Sequence, residues 1–426
     1  MPTIRGWFVA AIGGALWTTG RAFGADPLEQ AAAALLALVL IAVLVVRRRG
    51  HQLATTRTIA PERATTGQPV SVTIELTNRA DTPAPLLLVE DRIPLELSGR
   101  ARFSVAGLEA GGTRVARIDL TPRRRGRYEI GPLTVSIVDP FGIAAVRTRP
   151  QGPSSFVVYP RVEKLRLPRE LGHQRTTAVA ERRRPTGSRG EDFYTLREYD
   201  EGDDLRKIHW PSTAKLQRFM IRQEETPWHQ RATVLLDDRS EVHGGFGEHS
   251  SFERAVEAAA AVVSLYERAG YNFVFATALR GTTAVGRGPS QLQKALDVLA
   301  EIRPGRGSEA LRTRLAEFES GRAGEGILVV IGGSVDSAIA TALTRCRRVF
   351  RDVVLVSFPG HRFGSLDTRA RWDAERTTLD SVRLVARGGG RAIVLGPGEP
   401  LSQAWSGGDR AAGRGGESWA RKPEPV

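Results

Sequence analysis

The run ATVLLDD, residues 232–238, decides the fold of the larger half of the chain. Its first five residues are almost wholly apolar and two aspartates follow, a pattern typical of a strand buried on both faces of a parallel sheet. Ser250 and Glu253 then form a capping box, apolar side chains recur at helical spacing over residues 252–266, and Gly270 ends the predicted helix. A buried strand followed by an amphipathic helix is the repeating unit of an α/β fold.

The same alternation continues along the chain to about residue 405. Strands that alternate with helices predict a doubly wound α/β domain with a parallel sheet. The strands are expected at residues 272–279, 327–331, 353–358 and 392–395, and the helices at residues 292–302, 309–319, 336–348 and 366–386.

A doubly wound sheet binds its ligands beyond the carboxyl ends of its strands. Here these ends and the nearby loops carry DDRS at residues 237–240, GRGS at residues 305–308 and GGS at residues 332–334. None of them has the glycine spacing of a phosphate-binding loop or a dinucleotide fingerprint, and the chain has no GxSxG elbow. Its seven histidines show no zinc-ligand spacing. We therefore predict no catalytic residue and no cofactor.

The order of elements resembles the von Willebrand factor type A fold, whose metal site is built from oxygen ligands. Hard cations such as Mg²⁺ require clustered oxygens in near-octahedral geometry. Only three positions in this chain match that ligand pattern, namely Asp238, Ser240 and Ser308, and glycines stand where a further carboxylate is needed. These residues are weak candidates for a magnesium site, and the site is expected to be degenerate.

Residues 187–210, GSRGEDFYTLREYDEGDDLRKIHW, precede the α/β region and mix charges of both signs with four aromatic residues. Such a mixture fits neither an amphipathic helix nor a disordered charge run. It is either a polar connector whose charges pair with one another or a preorganised recognition surface. We expect Arg197 and Arg206 to pair with the neighbouring carboxylates, and Tyr199 and Trp210 to anchor the stretch as buried aromatics.

Residues 52–160 are predicted to form an all-β, Ig-like sandwich domain. Residues 70–76 alternate apolar and polar side chains, and further short strands are expected at residues 86–90, 102–105, 113–120 and 133–137. An arginine-rich run at residues 123–127 is either a patch for lipid headgroups or a solvated turn before a strand. The DPFG sequence at residues 139–142 is a turn, and we expect Phe141 to anchor it in the core.

The first 50 residues contain two apolar segments, at residues 6–20 and 31–46. A bilayer core requires about 20 apolar residues, so the second segment is a predicted transmembrane helix and the first is marginal. The first segment is either a second membrane helix or a signal peptide. Arg47, Arg48 and Arg49 follow the second segment, and the positive-inside rule places them, with the body of the protein, in the cytoplasm.

The composition excludes several classes of protein. Charged residues make up 25% and hydrophobic residues 41% of the chain, so wholesale disorder is excluded. The net charge of +14 comes from scattered arginines, and we do not predict nucleic-acid binding from it. The single cysteine, Cys346, cannot form an intrachain disulfide and is expected to be a small buried hydrophobe.

Taken together, these motifs resemble the bacterial domain of unknown function 58 family over nearly the whole chain. Outside the core, the resemblance rests on the sequences RRGRY at residues 124–128, GPL at 131–133, DPFG at 139–142 and VYP at 158–160. The family core matches at Gly190, Phe193, Leu196, Arg197, Glu198, Tyr199, Gly202, Asp203, Asp204, Arg206, Ile208 and Trp210.

The resemblance implies a membrane-tethered protein with a type A-like domain. Proteins of this kind work with MoxR-type AAA+ ATPases and often stand beside transglutaminase-like membrane proteins, and their biochemical activity is not established. The expected organisation is two transmembrane helices (1–50), a β-sandwich (51–160), a connector with the core motif (161–230), an α/β domain (231–405) and a disordered tail (406–426).

Three functions remain open at this point. The first is a non-enzymatic membrane adaptor that docks an AAA+ ATPase through the core stretch and the α/β domain. The second is a cryptic hydrolase that uses Glu191, Asp203, Asp204 and His209 as acid and base groups. The third is an envelope scaffold without an ATPase partner. Carboxylates beside arginines are more often structural ion pairs than catalysts, which favours the adaptor.

Overall fold

The computed structural model describes residues 1–49, 53–84, 86–97, 101–168, 194–198, 208–224, 231–320, 326–364 and 367–406. The predicted tail lies outside these residues from position 407 onward. The chain divides into two compact units. The first comprises Met1–Arg161 with Leu296–Ile302, and the second comprises Val162–Ala295 with Arg303–Val426.

The first unit begins with an antiparallel pair of helices, α1 (Ile4–Phe23) and α2 (Asp26–Arg49). Glycines on α1 permit their close approach: a Cβ added at Gly13 would lie 3.1 Å from Leu36 Cγ, and one at Gly20 would lie 2.9 Å from Glu29 Cγ. Among the described residues one helical segment, Asp26–Arg48 of α2, is long and apolar enough to cross a bilayer. α1 is not among such segments, because two arginines, several glycines and two threonines interrupt its apolar residues.

The rest of the first unit, up to residue 161, is built from ten strands in three small sheets. Their orders are β1-β3-β6, β2-β10-β7 and β5-β4-β8-β9. The strands are β1 (Leu53–Ala60), β2 (Arg63–Thr65), β3 (Val70–Asn78), β4 (Leu86–Asp91), β5 (Ala101–Val105), β6 (Thr113–Leu120), β7 (Gly126–Ile130), β8 (Leu133–Val138), β9 (Ala145–Gln151) and β10 (Ser154–Tyr159). The strands predicted in this region are all present, with ends shifted by at most two residues.

One apolar core holds these three sheets together. In β3 the side chains of Val70, Val72, Ile74 and Leu76 are buried and alternate with more exposed ones, as the period of two requires. They join residues of all three sheets in a single cluster, including Leu87, Val135 and Phe156. Tyr128, in β7, is buried and stacks on Phe156 at 5.6 Å between ring centroids.

Phe141 corrects a prediction from the sequence. The side chain is 67% exposed, whereas we expected it to anchor its turn in the core. Asp139 holds the turn instead: the buried carboxylate accepts hydrogen bonds from the backbone N–H groups of Phe141 at 3.0 Å and Ala144 at 2.6 Å. A turn that is closed by its own aspartate needs no aromatic anchor.

The second unit contains a six-stranded sheet in the order β15-β14-β13-β16-β17-β18. The strands are β13 (Arg231–Leu236), β14 (Asn272–Thr277), β15 (Gly281–Thr282), β16 (Ile327–Gly332), β17 (Asp352–Ser357) and β18 (Arg391–Val394). Neighbouring strands are parallel except for the short edge strand β15, which pairs antiparallel with β14. The predicted parallel α/β sheet is confirmed.

Helices cover both faces of this sheet. The helices that pack on the sheet are α4 (Ser251–Arg268), α6 (Ala310–Ser320), α7 (Ser337–Cys346) and α8 (Thr368–Arg387). The chain also forms α5 (Pro289–Glu301), whose end from Leu296 belongs to the first unit, and the short α9 (Leu401–Ser406). Helices α6, α7 and α8 share one apolar cluster with the strands, and Cys346 lies buried in it as predicted. α4 contacts β13, β14 and β16 through residues outside that cluster. Ser250 caps α4 by accepting from the N–H of Glu253 at 3.3 Å.

A further strand pair precedes the sheet in the chain. β11 (Tyr194–Glu198) pairs antiparallel with β12 (Met220–Glu224), and the helix α3 (Trp210–Leu216) lies between them in sequence. The sequence did not predict these elements, because the pairing joins residues more than 20 positions apart and mixed charges hide the strand period.

Candidate functional site

The carboxyl edge of the six-stranded sheet is the first place to look for a site. β13 is flanked by β14 on one side and β16 on the other. The strand order therefore changes direction at β13: β14 and β15 extend the sheet one way, and β16, β17 and β18 extend it the other way. The crevice outside the carboxyl ends at such a point is where open α/β sheets bind ligands. Residues 237–240 follow β13 and residues 332–334 lie at and beyond the end of β16, so both segments lie at this edge.

Asp237 and Arg239 form a closed, buried ion pair at this point. Arg239 Nε donates to Asp237 Oδ1 and Nη2 to Oδ2, each at 2.8 Å, so the pair is bidentate. Arg239 Nη1 donates to the carbonyl of Ser308 at 2.6 Å. Both side chains are at least nine-tenths buried. The guanidinium thus neutralises the carboxylate and joins the loop after β13 to the loop before α6.

Asp238 is the most unusual carboxyl in the second unit. The residue is fully buried, and its Oδ1 accepts from the N–H of Leu279 at 2.9 Å. Its Oδ2 has no hydrogen-bond partner among the described residues, and the nearest cation, Arg280 Nε, is 3.9 Å away. Burial raises the pKa of Asp238 above its ordinary value because the charged form loses its hydration.

The predicted magnesium ligands do not fit a hard cation. Asp238 uses one oxygen to hold the backbone after β14, and Ser240 Oγ lies 3.4 Å from Glu241 Oε2 in a short 3₁₀ turn. Ser308 presents its carbonyl to Arg239. Among the described residues, no three His, Cys, Asp or Glu side chains are grouped as metal ligands.

Backbone packs closely on backbone at this edge. A Cβ added at Gly333 would lie 2.0 Å from the Val242 carbonyl oxygen, and one at Gly244 would lie 2.1 Å from that of Gly360. A backbone carbonyl can come this close only to a residue without a Cβ, which is glycine. The loop after β13 therefore packs directly on the loops after β16 and β17 and occupies the crevice.

Two histidines that the sequence did not single out lie in these loops. His243 Nε2 is 2.8 Å from the Asp237 carbonyl oxygen and Nδ1 is 3.0 Å from Ser251 Oγ, and burial lowers its pKa. His361 Nε2 is 2.7 Å from Glu375 Oε2, and Arg362 Nε donates to the same oxygen at 3.1 Å. These contacts lower the pKa of Glu375 to about 2. Both histidines join loops to helices, a role that no local motif signals.

The second candidate is the surface of α3, within the predicted recognition stretch. Trp210 is 63% exposed, which corrects the expectation of a buried anchor, and Leu216 at the end of the helix is also exposed. The helix itself is held firmly. The His209 N–H donates to the Met220 carbonyl at 2.8 Å, and Thr213 Oγ1 accepts from the Met220 N–H at 3.0 Å.

His209 is the residue of the proposed hydrolase that lies within the described ranges. Its Nδ1 lies 2.9 Å from Ser212 Oγ, one turn along α3. Arg197 and Glu198 lie on β11, opposite Ile221 and Met220. The other predicted residues fall outside the described ranges, namely Gly190, Glu191, Phe193, Tyr199, Gly202, Asp203, Asp204 and Arg206. The ion pairing expected in this stretch remains a prediction.

Similar solved structures cover only part of the chain. The CARDB domain of the PF1109 protein from Pyrococcus furiosus is 15% identical, with a TM-score of 0.19, over 25% of this chain and 86% of that one. The ApaA protein from Bordetella pertussis is 15% identical, with the same score, over 25% and 91%. The DNA glycosylase AlkC from Pseudomonas fluorescens is 16% identical, with a score of 0.17, over 31% and 38%. Scores this low carry no argument about fold or function.

No curated protein sequence matches the chain. A family model does match residues 195–360, and its description is "Protein of unknown function DUF58". The match begins in β11, includes α3, β12 and the loops that meet at the carboxyl edge, and ends beyond β17. It is therefore the DUF58 family that this comparison supports for the chain.

Proposed function

We propose that the protein is a membrane-anchored, non-enzymatic adaptor that docks a partner protein on the α3 surface. The exposure of Trp210 carries the proposal: a large aromatic, within the family-matched segment, lies on a helix whose backbone is fixed to β12. Exposed tryptophans on rigid supports are the side chains that most often dominate protein–protein binding energy. The partner class that the family resemblance suggests is a MoxR-type AAA+ ATPase.

The state of the sheet edge favours an adaptor over an enzyme. In the described residues the carboxyl-edge crevice is filled by loop backbone, and the Asp237 carboxylate is neutralised by Arg239. A parallel sheet with one antiparallel edge strand supports a type A-like domain, and the three-sheet β region with one core supports an Ig-like sandwich. In this proposal the guanidinium takes the place that a cation has in type A domains.

The anchor is proposed to contain two spans. α2 is apolar and long enough to cross a bilayer, and α1 packs along it through glycines, so the two would cross together. Arg47 and Arg48 are exposed at the end of α2, and Arg5 is exposed at the adjacent start of α1. The protein would lie in the plasma or inner membrane. The positive-inside rule then places both helix ends, and the body of the protein, in the cytoplasm.

Site-specific photo-crosslinking in native membranes tests the docking surface. A photoreactive phenylalanine analogue replaces Trp210 in one full-length variant and Trp372 in another. Trp372 is the matched control because it is also exposed, lies on helix α8 and falls outside the family match. We expect an adduct with an AAA+ ATPase, identified by mass spectrometry, at position 210 and none at position 372.

Other outcomes would redirect the proposal. Adducts with a transglutaminase-like membrane protein or another envelope protein at position 210 would replace the ATPase by a scaffold role. No adduct at position 210, with thermal unfolding unchanged from the parent protein, would reject docking on α3. A hydrolytic activity that is lost on His209→Ala but retained in Trp210→Ala would support the cryptic hydrolase instead.

A further inference from the structure

The Asp139–Ala144 turn presents an apolar side chain that its own unit does not use. Phe141 is 67% exposed, while Asp139 and Ala144 at the two sides of the turn are buried. The turn is also rigid: besides the two bonds to the Asp139 carboxylate, the N–H of Gly142 donates to the Asp139 carbonyl at 3.0 Å. A single exposed phenylalanine is ordinary by itself, so what it contacts has to be inferred from the side chains around the turn.

The start of α1 is attached to this turn. The amino group of Met1 donates to the Ala145 carbonyl at 2.7 Å, and the N–H of Thr3 donates to the Ile143 carbonyl at 2.7 Å. Thr3 Oγ1, which caps α1, donates to the Gly142 carbonyl at 2.6 Å. The first residues of the chain thus run beside the turn as a short strand would, and α1 begins where Phe141 is displayed.

The end of α2 lies at the same edge of the unit, because α1 and α2 are antiparallel and α2 leads into β1. α2 also contacts β8 and β9, the two strands that the turn connects. Exposed arginines lie around this edge: Arg5, Arg47 and Arg48. A Cβ added at Gly142 would be 3.5 Å from Arg5 Nη1, so the guanidinium lies over the turn.

The outer face of the sheet β5-β4-β8-β9 changes character away from this edge. Leu86, opposite Val138, and Leu88, opposite Ser136, are exposed on the half of β4 that is nearest the turn. Glu90, on the same face but farther from the turn, pairs with Arg102. Leu95 follows the far end of β4 and is 93% exposed. β8 runs from the turn to the far end of β4, and its six residues span about 20 Å. Leu95 therefore lies about that far from the turn along the sheet.

These observations favour a lipid surface as the partner of the Asp139–Ala144 turn. The side chains combine an aromatic, exposed leucines and arginines beside the end of a membrane-length helix, which is the composition of a bilayer interface. We infer that the Asp139–Ala144 turn is a second membrane contact, which seats Phe141 at the boundary between headgroups and acyl chains and fixes how the β-rich region stands on the bilayer. This inference rests on the proposed anchoring by α2.

The test measures the depth of a dye in vesicles that contain the full-length protein. A cysteine replaces Phe141, Leu95 or Leu40 and is labelled with a nitrobenzoxadiazole maleimide. Cys346 is fully buried and burial raises its pKa to about 11, so its thiol should not react. The vesicles are phosphatidylcholine with phosphatidylglycerol, and they carry a spin-label quencher either on the headgroup or in the middle of the acyl chain.

We expect the dye in Phe141→Cys to be quenched at least twofold by the headgroup quencher and to emit at shorter wavelength than the free dye in buffer. The dye in Leu95→Cys should show neither effect, and the dye in Leu40→Cys, in the middle of α2, should be quenched by the acyl-chain label. If position 40 is quenched but position 141 behaves like position 95, the inference is wrong and the anchor stands. If position 40 is not quenched either, the anchor and the inference both fail.

Discussion

Among the described residues, each unit of the molecule contains one buried arginine–aspartate pair, and the two pairs are built differently. In the first unit, Arg57 on β1 donates from Nη1 to both oxygens of Asp91 at 2.9 and 3.1 Å, across 34 positions of sequence. In the second unit, Arg239 and Asp237 are two positions apart in one loop. Each pair is almost completely removed from water.

The difference shows what an internal ion pair can do. Arg57 reaches three sheets: Asp91 ends β4, and the second guanidinium nitrogen donates to the Gly152 carbonyl and, at 2.9 Å, to Ser154 Oγ at the start of β10. Burial raises the pKa of Asp91 despite the arginine. The pair in the second unit connects two loops and closes a crevice. One pair assembles a core, and the other occupies a place where ligands bind in related topologies.

Removal of Arg57 should have the largest effect. Arg57→Met leaves the Asp91 carboxylate buried without a partner, and we expect the free energy of unfolding to fall by about 3–5 kcal/mol. Urea unfolding of the detergent-solubilised protein, followed by circular dichroism, measures it. The double variant Arg57→Met/Asp91→Leu should recover most of the loss, because the uncompensated charge is gone. A loss below about 1 kcal/mol in the single variant would show that Asp91 is hydrated.

Removal of Arg239 should show that the two pairs differ in how added Mg²⁺ changes the stability of the variant. Arg239→Ala exposes Asp237 beside Asp238, and we expect a loss of about 2–4 kcal/mol. Mg²⁺ at about 10 mM should restore about 1 kcal/mol, because two adjacent carboxylates attract a hard cation. Thermal unfolding with and without Mg²⁺ measures this. Arg57→Ala, which leaves a single carboxylate, is the control and should not respond; equal responses would refute a latent cation site.

Gly244→Ala tests whether the crevice in the second unit is closed by backbone. The new Cβ would lie 2.1 Å from the Gly360 carbonyl oxygen, so the loops must separate, at a cost of about 2–3 kcal/mol. Gly364→Ala is the matched control, since its Cβ would lie 3.8 Å from the Gly360 carbonyl oxygen, an ordinary van der Waals contact. Equal melting temperatures for the two variants would mean that the loops are not in contact in solution.

The smallest effect is expected at Glu375, whose partners are only partly shielded. The pKa is lowered to about 2 by His361 and Arg362. A lowered carboxyl pKa stabilises the folded state above the ordinary value of about 4.5 and ceases to do so as the pH falls toward 2. Because the group is partly solvated, the contribution is about 1 kcal/mol. Glu375→Gln should therefore lower the melting temperature at pH 7 and lower it less at pH 2.5, as thermal scans at the two pH values would show.

The regular elements of the α/β region followed from the sequence because their signals are local. Residues 232–236 form a short apolar run. α4 begins at the predicted cap, Ser250, and ends just before the predicted stop, Gly270. Five of the β-rich strands were accessible for the same reason, since a period of two is a property of neighbouring residues, whereas β1, β2, β7, β9 and β10 were not predicted. The pairing of β11 with β12 was missed because it depends on residues that are distant in the chain.

The candidate sites were predicted less well. Asp238 was identified from its place after β13, but its neighbours Asp237 and Arg239 carry the ion pair that closes the edge. Trp210 and Phe141 were both expected inside and both lie outside. Aromatic residues are buried on average, and no local pattern distinguishes one that serves a core from one that serves a surface.

By itself, the sequence determined a membrane-length helix, a β-rich region and a parallel α/β sheet, together with the resemblance to a family. Hydrophobic period and turn chemistry act over a few residues and can be read without a partner. Only the tertiary structure decided that Arg57 joins three sheets, that backbone and Arg239 fill the carboxyl edge, and that α1 begins on the Asp139 turn. These features depend on which distant atoms meet, and burial and charge pairing exist only after they have met.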